Sequence, residues 1–532
     1  MLPPEFLDHA PDKLVELFDQ VEDDILRDMA RRIAKMGRLT DTAEWQAWRY
    51  EQTKLVNSDA LKKLSQMSGK SRKELWKILQ ESAAETLAQD DRIYNAAGLS
   101  VPESMSPTLK NILQSGYLQT GQAMDNFTAT TANTVTREFE NALDRAWLQI
   151  DSGAFSYQQA IRQAVLSLAR DGLHSITYPS GHRDSMDVAV RRAVLTGINQ
   201  TAAKLQLARM DEMGCDLVET TAHGGARPEH AAWQGRVFSR SGKSRKYPDF
   251  VRSTGYGSGP GLCGWNCRHN FYPYFEGLSE RNYSSADLAE LNRREIEYRG
   301  KKYTRYEISQ MQRRYEREIR QAKREYLALD AAGQDTAQAA VKLAKKRAAA
   351  KQFCREAGVR PDTFRQQVAG FGRSPAAKAS SQAVKYYKKW ADVPGFNAPE
   401  TLEKYYYLKY NKPKEWFRLR RDRDTLAEID KKSWTPEFKQ KAIDAFYQFQ
   451  AQGVEISDHG VARFLDRSRQ NTGASVFTID DIVGQLKKPA NYEQKDGRRV
   501  WYYDGLAVVC NSQGVIVSIV LRKRPKADWR EI

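Results

Sequence analysis

The first two hundred residues repeat one pattern of apolar and polar positions. In residues 11–36, apolar side chains recur at steps of three and four residues, which places them on one stripe of an α-helix. The same spacing returns in residues 71–87, 133–150 and 186–210. Stripes of this kind pack against one another to form a helical core. We therefore expect residues 1–213 to form a mainly α-helical body.

The pattern changes at about residue 214 and again at about residue 281. Short β-prone runs first alternate with glycine-rich turns, which predicts a small loop-rich α+β unit over residues 214–280. Residues 281–368 return to helical spacing, but they are highly charged and their apolar positions are sparse. We expect a long basic helical arm here, which needs either a neighbouring subunit or another surface to lie on.

The last part of the chain has a different organisation. Residues 369–383, AGFGRSPAAKASSQA, are rich in small residues and contain a proline, so we expect a linker there. A segment that mixes basic and aromatic residues extends this linker region to residue 436. Three helical patterns and four β-prone runs follow, which is typical of an α+β domain over residues 437–532. The four runs predict an antiparallel meander with strands near residues 490–494, 498–503, 506–511 and 515–522.

Length and composition agree with this division. A chain of 532 residues is too long for one hydrophobic core, and its length favours three or four domains. The expected fold class is a multidomain protein that is mainly α in its N-terminal half and α+β at its C-terminus. No run approaches the roughly 18 consecutive apolar residues of a membrane span, so we expect none. Five cysteines, an odd number in a long chain, fit a reducing cytoplasm better than a disulfide framework.

The net charge of +17 resides in the C-terminal part of the chain. Residues 1–280 contain 33 Lys and Arg against 35 Asp and Glu, whereas residues 281–373 contain 22 against 12 and residues 374–532 contain 29 against 20. This asymmetry predicts that the basic part lies close to a polyanion such as nucleic acid. Solvated helix faces are the other interpretation of the same charges.

Scarce reactive residues are concentrated in residues 256–274, YGSGPGLCGWNCRHNFYPY. Thiolate and imidazole are the ligands that a structural zinc ion prefers. The candidate zinc ligands are His230, Cys263, Cys267 and His269, with His223 as the alternative histidine.

Two other interpretations of this stretch stay open. One is an aromatic plug in a small core, in which cysteine acts as a small apolar residue. Its rings would be those of Trp265, Phe271, Tyr272 and Tyr274. The other is hydrolytic catalysis by Cys267 and His269, which we favour least because a nucleophile and a base two residues apart rarely face each other.

These residues resemble the signature of a known family. The segments HGGARPEHAAWQGRVF, from His223, and TGYGSGPGLCGWNCRHNFYPY, from Thr254, are similar to the phage minor capsid protein 2 family, which is related to the head-morphogenesis proteins of Mu-like phages. In the wider group a cysteine stands where this chain has His269, and histidine keeps a metal ligand there. The resemblance covers about residues 1–373.

The resemblance implies a low-copy virion protein made in the host bacterial cytoplasm. It implies a location in the capsid interior near the portal vertex, and a role in head assembly, DNA packaging or DNA delivery. The implied partners are portal or major head proteins and packaged DNA.

A second group of candidate residues lies in DHGVARFLDR, residues 458–467. On a helix that begins at Ser457, the side chains of His459, Arg463 and Arg467 share one face. A histidine beside guanidinium groups suits proton transfer at a bound phosphate, whose charge the arginines hold. In the last β-prone run, Ser518 is a lone hydroxyl in an aliphatic stretch.

This arrangement resembles the metal-independent RNase superfamily that includes barnase, EndoU, colicin-type and RelE-like toxins, over about residues 437–532. The resemblance implies that His459 is the general acid and base, Arg463 the transition-state cation and Ser518 a hydrogen-bond donor to the scissile phosphate of RNA. Delivery into the host with the DNA is part of this hypothesis. The residues that we expect to contact nucleic acid are Arg467, Arg499, Arg522, Lys523 and Arg524.

A structural protein without catalysis is the competing class, in which the C-terminal domain binds packaged DNA or the portal. A location of His459 and Ser518 on opposite sides of the domain would favour that class. A DNA-directed nuclease is favoured least, because it needs clustered carboxylates for metal ions.

Overall fold

The computed structural model describes residues 2–36, 41–153, 155–177, 183–468 and 476–532, with the backbone alone at residues 174–177 and 183. The chain divides into two compact units, Met1–Ala383 and Val384–Ile532, which we call the N-terminal unit and the C-terminal unit. The division into five segments expected from the sequence is finer than this and stays a prediction.

Long helices build the first part of the N-terminal unit, as the spacing of apolar residues predicts. They are α1 Pro4–His9, α2 Asp12–Ala34, α3 Thr42–Ala96, α4 Pro107–Asp151, α5 Tyr157–Asp171 and α6 Met186–Glu212. A short antiparallel pair, β1 His174–Thr177 and β2 Arg183–Ser185, stands between α5 and α6. The Asp41 carboxylate accepts hydrogen bonds from the backbone N–H groups of Ala43 and Glu44 and so sets the start of α3.

Glycine permits α4 and α6 to pack closely where they cross. A Cβ atom on Gly197 of α6 would overlap the side chain of Thr120 on α4, and a Cβ atom on Gly116 of α4 would overlap Thr201 on α6. Each helix therefore places a threonine against a glycine of the other helix. The crossing belongs to one hydrophobic core that includes residues of α2, α3 and α5.

The segment after α6 folds into a small α+β region, as predicted. Its elements are β3 Leu217–Thr220, α7 Pro228–Ala231, β4 Val237–Ser239, α8 Phe250–Thr254 and β5 Phe271–Tyr274. The three strands form an antiparallel sheet in the order β4-β3-β5. Val218, Phe238 and Phe271 of this sheet are buried in one cluster with Tyr94 of α3 and Met210 of α6, so the sheet is packed against the helical body.

The predicted basic arm contains two long helices, and the first of these begins later than expected, after a short helix and a hairpin. The elements are α9 Ser285–Leu291, β6 Ile296–Tyr298, β7 Lys301–Tyr303, α10 Arg305–Ala331, α11 Ala337–Glu356 and a single 3-10 turn Phe364–Gln366. The strands β6 and β7 form a hairpin because Arg299 and Gly300 both adopt left-handed backbone angles, with φ of 51° and 76°. The sequence predicts that this charged arm needs a surface to lie on. Its own unit supplies that surface, since α10 packs on α2, α5 and α11.

The stretch predicted as a linker, residues 369–383, is helical from Arg373 onward, and its role as a linker stays a prediction. Helix α12 Arg373–Ala391 runs through this stretch, and the division between the two units falls within it. Four alanines between residues 373 and 383 favour the helix. Pro375 lies in its first turn, where the N–H group that proline lacks would have no intrahelical partner.

The C-terminal unit contains the predicted three helices and four strands, together with elements that the sequence did not predict. Its helices are α13 Leu402–Asn411, α14 Pro413–Lys431, α15 Pro436–Ala451, α16 Asp458–Arg467 and α17 Ile479–Leu486. Its strands are β8 Tyr492–Glu493, β9 Arg499–Tyr503, β10 Leu506–Cys510, β11 Ile516–Leu521 and β12 Arg530–Glu531. The unpredicted β12 pairs with β8 and makes the meander five-stranded, in the order β11-β10-β9-β8-β12.

The two faces of this sheet are covered by different parts of the unit. The face that carries Val508 and Ile519 packs against α15, α16 and α17 through Phe446, Val461 and Ile482. The opposite face is covered by the C-terminal segment through Trp529, and its own residues are Val500, Ala507 and Val509. Among the described residues, no helix combines the length and the apolar character that crossing a membrane requires.

Candidate metal centre

Three of the predicted zinc ligands meet between α7 and the loop that leads into β5. The Sγ atom of Cys267 lies 3.8 Å from Nδ1 of His230 and 3.7 Å from Nδ1 of His269, and the two Nδ1 atoms are 3.4 Å apart. All three side chains are buried, with 1–3% of each residue exposed. One thiol and two imidazole nitrogens therefore point at a common point inside the protein.

The loop between α8 and β5 is tightly coiled, which brings Cys267 and His269 to this place. Cβ atoms on Gly261 and Gly264 would overlap the backbone of Gly255 and Gly259, so the crossing of the loop on itself requires glycine. Asn266 adopts a left-handed conformation with φ of 52°. The glycines of this stretch are thus needed for the geometry of the loop.

Hydrogen bonds to the far side of each ring assign the tautomers of the two histidines. His230 Nε2–H donates to the carbonyl of Pro260 at 2.8 Å. His269 Nε2–H donates to Gln234 Oε1 at 2.9 Å, and this oxygen is identified as the acceptor because it also receives the backbone N–H of His223. Both Nδ1 atoms therefore present lone pairs to each other and to the thiol. A metal ion supplies the positive partner that such converging lone pairs need, and this arrangement of outer hydrogen bonds is the one that metal-binding histidines adopt.

Burial sets the protonation of these groups. Burial lowers the pKa of His230 and lowers that of His269 well below its ordinary value, so both imidazoles are neutral at neutral pH. Burial also raises the pKa of Cys267 to about 11, which keeps the thiol protonated until a metal ion displaces its proton. A set of one cysteine and two histidines fits Zn²⁺. Cys267, His230 and His269 would hold the ion, and the ion would connect α7 to the loop.

The fourth predicted ligand, Cys263, does not join the three. Its thiol donates toward the carbonyl of His269 at 3.6 Å, and the side chain is buried in the apolar cluster with Phe271, where it behaves as a small hydrophobic residue. His223 lies beside His269 with ring centroids 4.4 Å apart, and its Nδ1–H faces the carbonyl of Gly224 at 3.1 Å. Within the described residues the metal-binding group therefore has three members, and metal binding stays a prediction.

The structure agrees with the two alternatives to zinc, an aromatic plug and hydrolytic catalysis, to different degrees. The aromatic plug is present in part, since Phe271, Tyr272 and Tyr274 are buried, but Trp265 is 58% exposed and lies over Gly259. Cys267 and His269 do face each other, contrary to our expectation for residues two positions apart. The high pKa of the buried Cys267 thiol is nevertheless the opposite of what a catalytic nucleophile needs.

Sequence reasoning missed the residues that hold the centre in place. Asn199 of α6 donates through Nδ2 to the carbonyls of Cys267 and His269, at 3.0 and 2.9 Å. Asn270 in turn donates to Asn199 Oδ1 at 2.8 Å. In the sequence, only the position of Gln234 one turn after His230 indicates its role. Nothing indicates the role of Asn199, because it lies in α6 and not in α7.

A polar cavity of about 760 Å³ adjoins the centre. Residues from α1, α6, α10 and the turn after α11 line it, together with His230, Cys267 and His269. Asp8 binds two arginines in its wall, Arg365 at 2.7 Å and Arg268 at 3.2 Å. Burial favours the neutral form of Asp8, but these guanidinium groups outweigh it and lower its pKa. The ion pairs connect the amino-terminal helix to the loop of the centre.

The structure brings two of the three predicted catalytic residues of the C-terminal unit together. Arg463 Nε lies 3.5 Å from His459 Nε2 on α16. Ser518 pairs with Val509 across β10 and β11, so its side chain shares the sheet face covered by Trp529. Helix α16 packs on the other face through Val461. The register therefore places Ser518 on the face away from Val461 of α16, and its role beside His459 and Arg463 stays a prediction.

A β-bulge explains part of this result. The register of β10 and β11 shifts between Val509 and Cys510, and this inserts one residue into β11. Ile516 and Ile519 consequently both belong to the helix-covered core, although strict alternation predicts opposite faces.

The residues predicted to contact nucleic acid are spread over the C-terminal unit. Arg467 ends α16, Arg499 begins β9, and the remaining three follow β11. Arg499, Lys523 and Arg524 are exposed, whereas Arg467 and Arg522 are partly buried. Their contact with nucleic acid stays a prediction.

Comparison with known proteins gives matches to phage proteins. A family model described as phage minor capsid protein 2 matches residues 2–355. A structural protein of Lactococcus phage LL-H is 26% identical over 291 residues, which are 49% of this chain and 75% of that protein. A structural protein of Lactococcus phage mv4 is 38% identical over 88 residues, which are 16% of this chain and 62% of that protein. No solved structure matches.

Proposed function

We propose that this chain, which belongs to the phage minor capsid protein 2 family, is a minor head protein whose N-terminal unit is held in shape by a zinc ion. The chain is a phage structural protein and hence a component of the virion. The observation that carries the proposal is the convergence of Cys267, His230 and His269 in a buried site. A zinc ion at this site has a structural role, because it fastens α7 to a loop whose carbonyl groups accept hydrogen bonds from Asn199 of the helical body.

The metal content of the purified full-length protein tests the zinc proposal. We expect about one zinc ion per chain by mass spectrometry, and loss of this zinc in Cys267→Ala. Cys354→Ala is the matched control, because Cys354 is also a buried free cysteine of the N-terminal unit and lies in a different cluster. A wild-type protein without stoichiometric metal, or a Cys267→Ala protein that keeps it, would overturn the proposal.

The finer part of the proposal concerns location and partners. We propose a low-copy protein in the capsid interior near the portal vertex, in contact with portal or major head proteins and with packaged DNA. Crosslinking of intact virions followed by mass spectrometry tests this, and we expect crosslinks from the N-terminal unit to the portal protein. Crosslinks to tail proteins alone would contradict it.

A second candidate function is RNA cleavage by the C-terminal unit. The contact between His459 and Arg463 favours it, because a histidine with an adjacent guanidinium can move a proton beside a phosphate. The position of Ser518 weighs against it and favours the purely structural alternative. Delivery of such an activity into the host belongs to this second candidate.

Incubation of the full-length protein with RNA, without metal, separates the two candidates. Cleavage that leaves a cyclic phosphate, is lost in His459→Ala and persists in Ser518→Ala would support a histidine–arginine site. His9→Ala is the control, since His9 is also exposed. Absence of cleavage by the wild type would leave the structural role as the function of this unit.

A further inference from the structure

A basic aromatic surface lies on the part of the C-terminal unit formed by residues 384–423. Its exposed rings come from three helices, α12, α13 and α14. They are Tyr386, Tyr407, Tyr410 and Phe417, with exposed fractions of 51, 36, 38 and 54%. The structure of the unit itself does not need these four exposed rings, because none of them belongs to its hydrophobic core.

Aromatic side chains pack on one another beneath this surface. Tyr410 stacks on the buried Tyr406 with ring centroids 6.1 Å apart and planes at 16°. Burial raises the pKa of Tyr406, and the neighbouring phenols, which include Tyr410 and Tyr386, raise it further. Helix α12 reaches the same place, because Tyr387, the residue next to Tyr386, lies 5.3 Å from Tyr405 between ring centroids. Trp390 and Trp416 stack in the same way, at 5.7 Å and 23°, and Tyr405 joins the two stacks, with its ring centroid 4.7 Å from that of Trp390 and 5.1 Å from that of Tyr406.

Positive charge surrounds these rings. Residues 384–423 contain 11 Lys and Arg against 5 Asp and Glu. Lys409 Nζ lies within 6 Å of the ring centroids of Tyr405, Tyr410 and Trp416, which is the distance of a cation–π contact. Lys385, Lys388 and Lys389 are exposed, and they carry their charge along α12 next to Tyr386.

This combination fits single-stranded nucleic acid. Unpaired bases expose their faces and stack on aromatic side chains, while lysine and arginine follow the phosphates. In a duplex the base faces are covered by neighbouring base pairs, so exposed rings add nothing to its binding. A membrane surface fits less well, because helices that lie in a bilayer also insert aliphatic side chains. Every large apolar side chain exposed on described residues 384–423 is aromatic.

We propose that the basic aromatic surface binds single-stranded nucleic acid by stacking unpaired bases on Tyr386 and Tyr410. The proposal goes beyond the proposed function, because it names a surface of the C-terminal unit and the form of nucleic acid that this surface binds. It does not depend on the zinc ion or on RNA cleavage, so it can fail while the proposed function stands.

Fluorescence anisotropy with the full-length protein tests the proposal. The probes are a labelled 20-nucleotide oligo(dT), the matching oligo(U) and a blunt 20-base-pair duplex of equal label. We expect oligo(dT) to bind at least about tenfold more tightly than the duplex at 0.2 M salt, where the non-specific phosphate contribution is weakened. The oligo(U) arm decides whether the surface also accepts RNA.

Substitutions of the two tyrosines identify the surface. Removal of both rings in Tyr386→Ala/Tyr410→Ala should weaken oligo(dT) binding by roughly 10- to 100-fold, the range expected for one or two stacked bases. Tyr386→Phe/Tyr410→Phe keeps the rings and should bind as the wild type does, which excludes a role of the hydroxyl groups. Tyr50→Ala in the N-terminal unit is the matched control, because Tyr50 is 69% exposed.

Three results would overturn the proposal. The first is equal affinity for the duplex and for oligo(dT). The second is wild-type affinity in the double alanine protein whose circular dichroism is unchanged. The third is a double alanine protein that still binds oligo(dT) but no longer binds vesicles with 30% anionic lipid, which the wild type does bind. This result would assign the rings to a membrane surface.

Discussion

Replacement of Arg324 by methionine tests how the N-terminal unit depends on a buried cluster of charges. Arg324 on α10 lies 2.8 Å from Asp23, 3.0 Å from Glu22 and 3.4 Å from Asp19, all on α2. The side chains of Glu22 and Asp23 are 0 and 2% exposed. Methionine retains most of the apolar stem of arginine, so the substitution removes the cation and leaves the carboxylates buried.

The magnitude follows from the burial and the size of the unit. Removal of one partner of a buried ion pair costs about 3–5 kcal/mol. Unfolding of a unit of 383 residues carries an entropy of roughly 0.8 kcal/mol/K at about 2.1 cal/mol/K per residue. We therefore expect Arg324→Met to lower the melting temperature of the N-terminal unit by about 4–6 °C at pH 8.

The loss should shrink in acid. Burial raises the pKa of Glu22 to about 7, from an ordinary value of 4.5, and raises that of Asp19 well above its ordinary value. A carboxyl group whose pKa rises on folding stabilises the folded state below its unfolded pKa, and this stabilisation is lost as the pH rises through the folded pKa. At pH 5 these carboxyl groups hold protons and no longer need Arg324, so the variant should approach the wild type.

Differential scanning calorimetry of the full-length protein at pH 5 and pH 8 measures both effects. Arg317→Met is the matched control, because Arg317 is an exposed residue of the same helix, and we expect a shift of less than about 1 °C from a surface change. An Arg324→Met protein as stable as the wild type at pH 8 would refute the reasoning about burial. A deficit of equal size at pH 5 and pH 8 would refute the reasoning about protonation.

Three further predictions concern single side chains. Glu22→Gln removes the titrating carboxyl group. The melting temperature of this variant, measured in the same calorimeter, should therefore fall less between pH 5 and pH 8 than that of the wild type. An equal fall in both proteins would contradict this. Gln234→Leu removes the acceptor that orients His269 and should weaken zinc binding by about 10- to 100-fold in competition with a chelator, whereas wild-type affinity would show that the hydrogen bond has no role. Gly197→Val should destabilise the N-terminal unit by about 1–3 kcal/mol through overlap with Thr120. Thr120→Ala should restore part of this loss in thermal unfolding, and destabilisation that Thr120→Ala leaves unchanged would place the overlap elsewhere.

Most of the fold could be predicted because its signals are local. Thr478 and Asp481 have the sequence spacing of a capping box, and both reciprocal hydrogen bonds are present at the start of α17. Two of the elements that escaped prediction, β12 and the β6–β7 hairpin, carry weak local signals. Strand β12 has two residues and is strand only because it pairs with β8, and the β6–β7 hairpin depends on Arg299 in a conformation that arginine rarely adopts.

The candidate metal centre could be predicted in its ligands but not in its surroundings. Cysteine and histidine are scarce, so their clustering in sequence was visible and identified Cys267, His230 and His269. The failure of Cys263 has a physical reason, since short spacing places residues near each other without directing their side chains to one point. Asn199 was invisible, because the two carbonyls it binds become its neighbours only after α6 packs against the loop.

The position of Ser518 shows why alternation in a strand cannot by itself assemble a site. A period of two residues divides β11 into two faces, but it does not say which face the helices cover. In this unit, both faces are apolar and both are covered, one by α15, α16 and α17 and the other by the segment that carries Trp529. The bulge then breaks the alternation between Ile516 and Ser518. The position of a hydroxyl group in such a strand therefore does not predict that it lies near His459. In contrast, His459 and Arg463 contact each other because residues four positions apart on one helix lie about one turn apart.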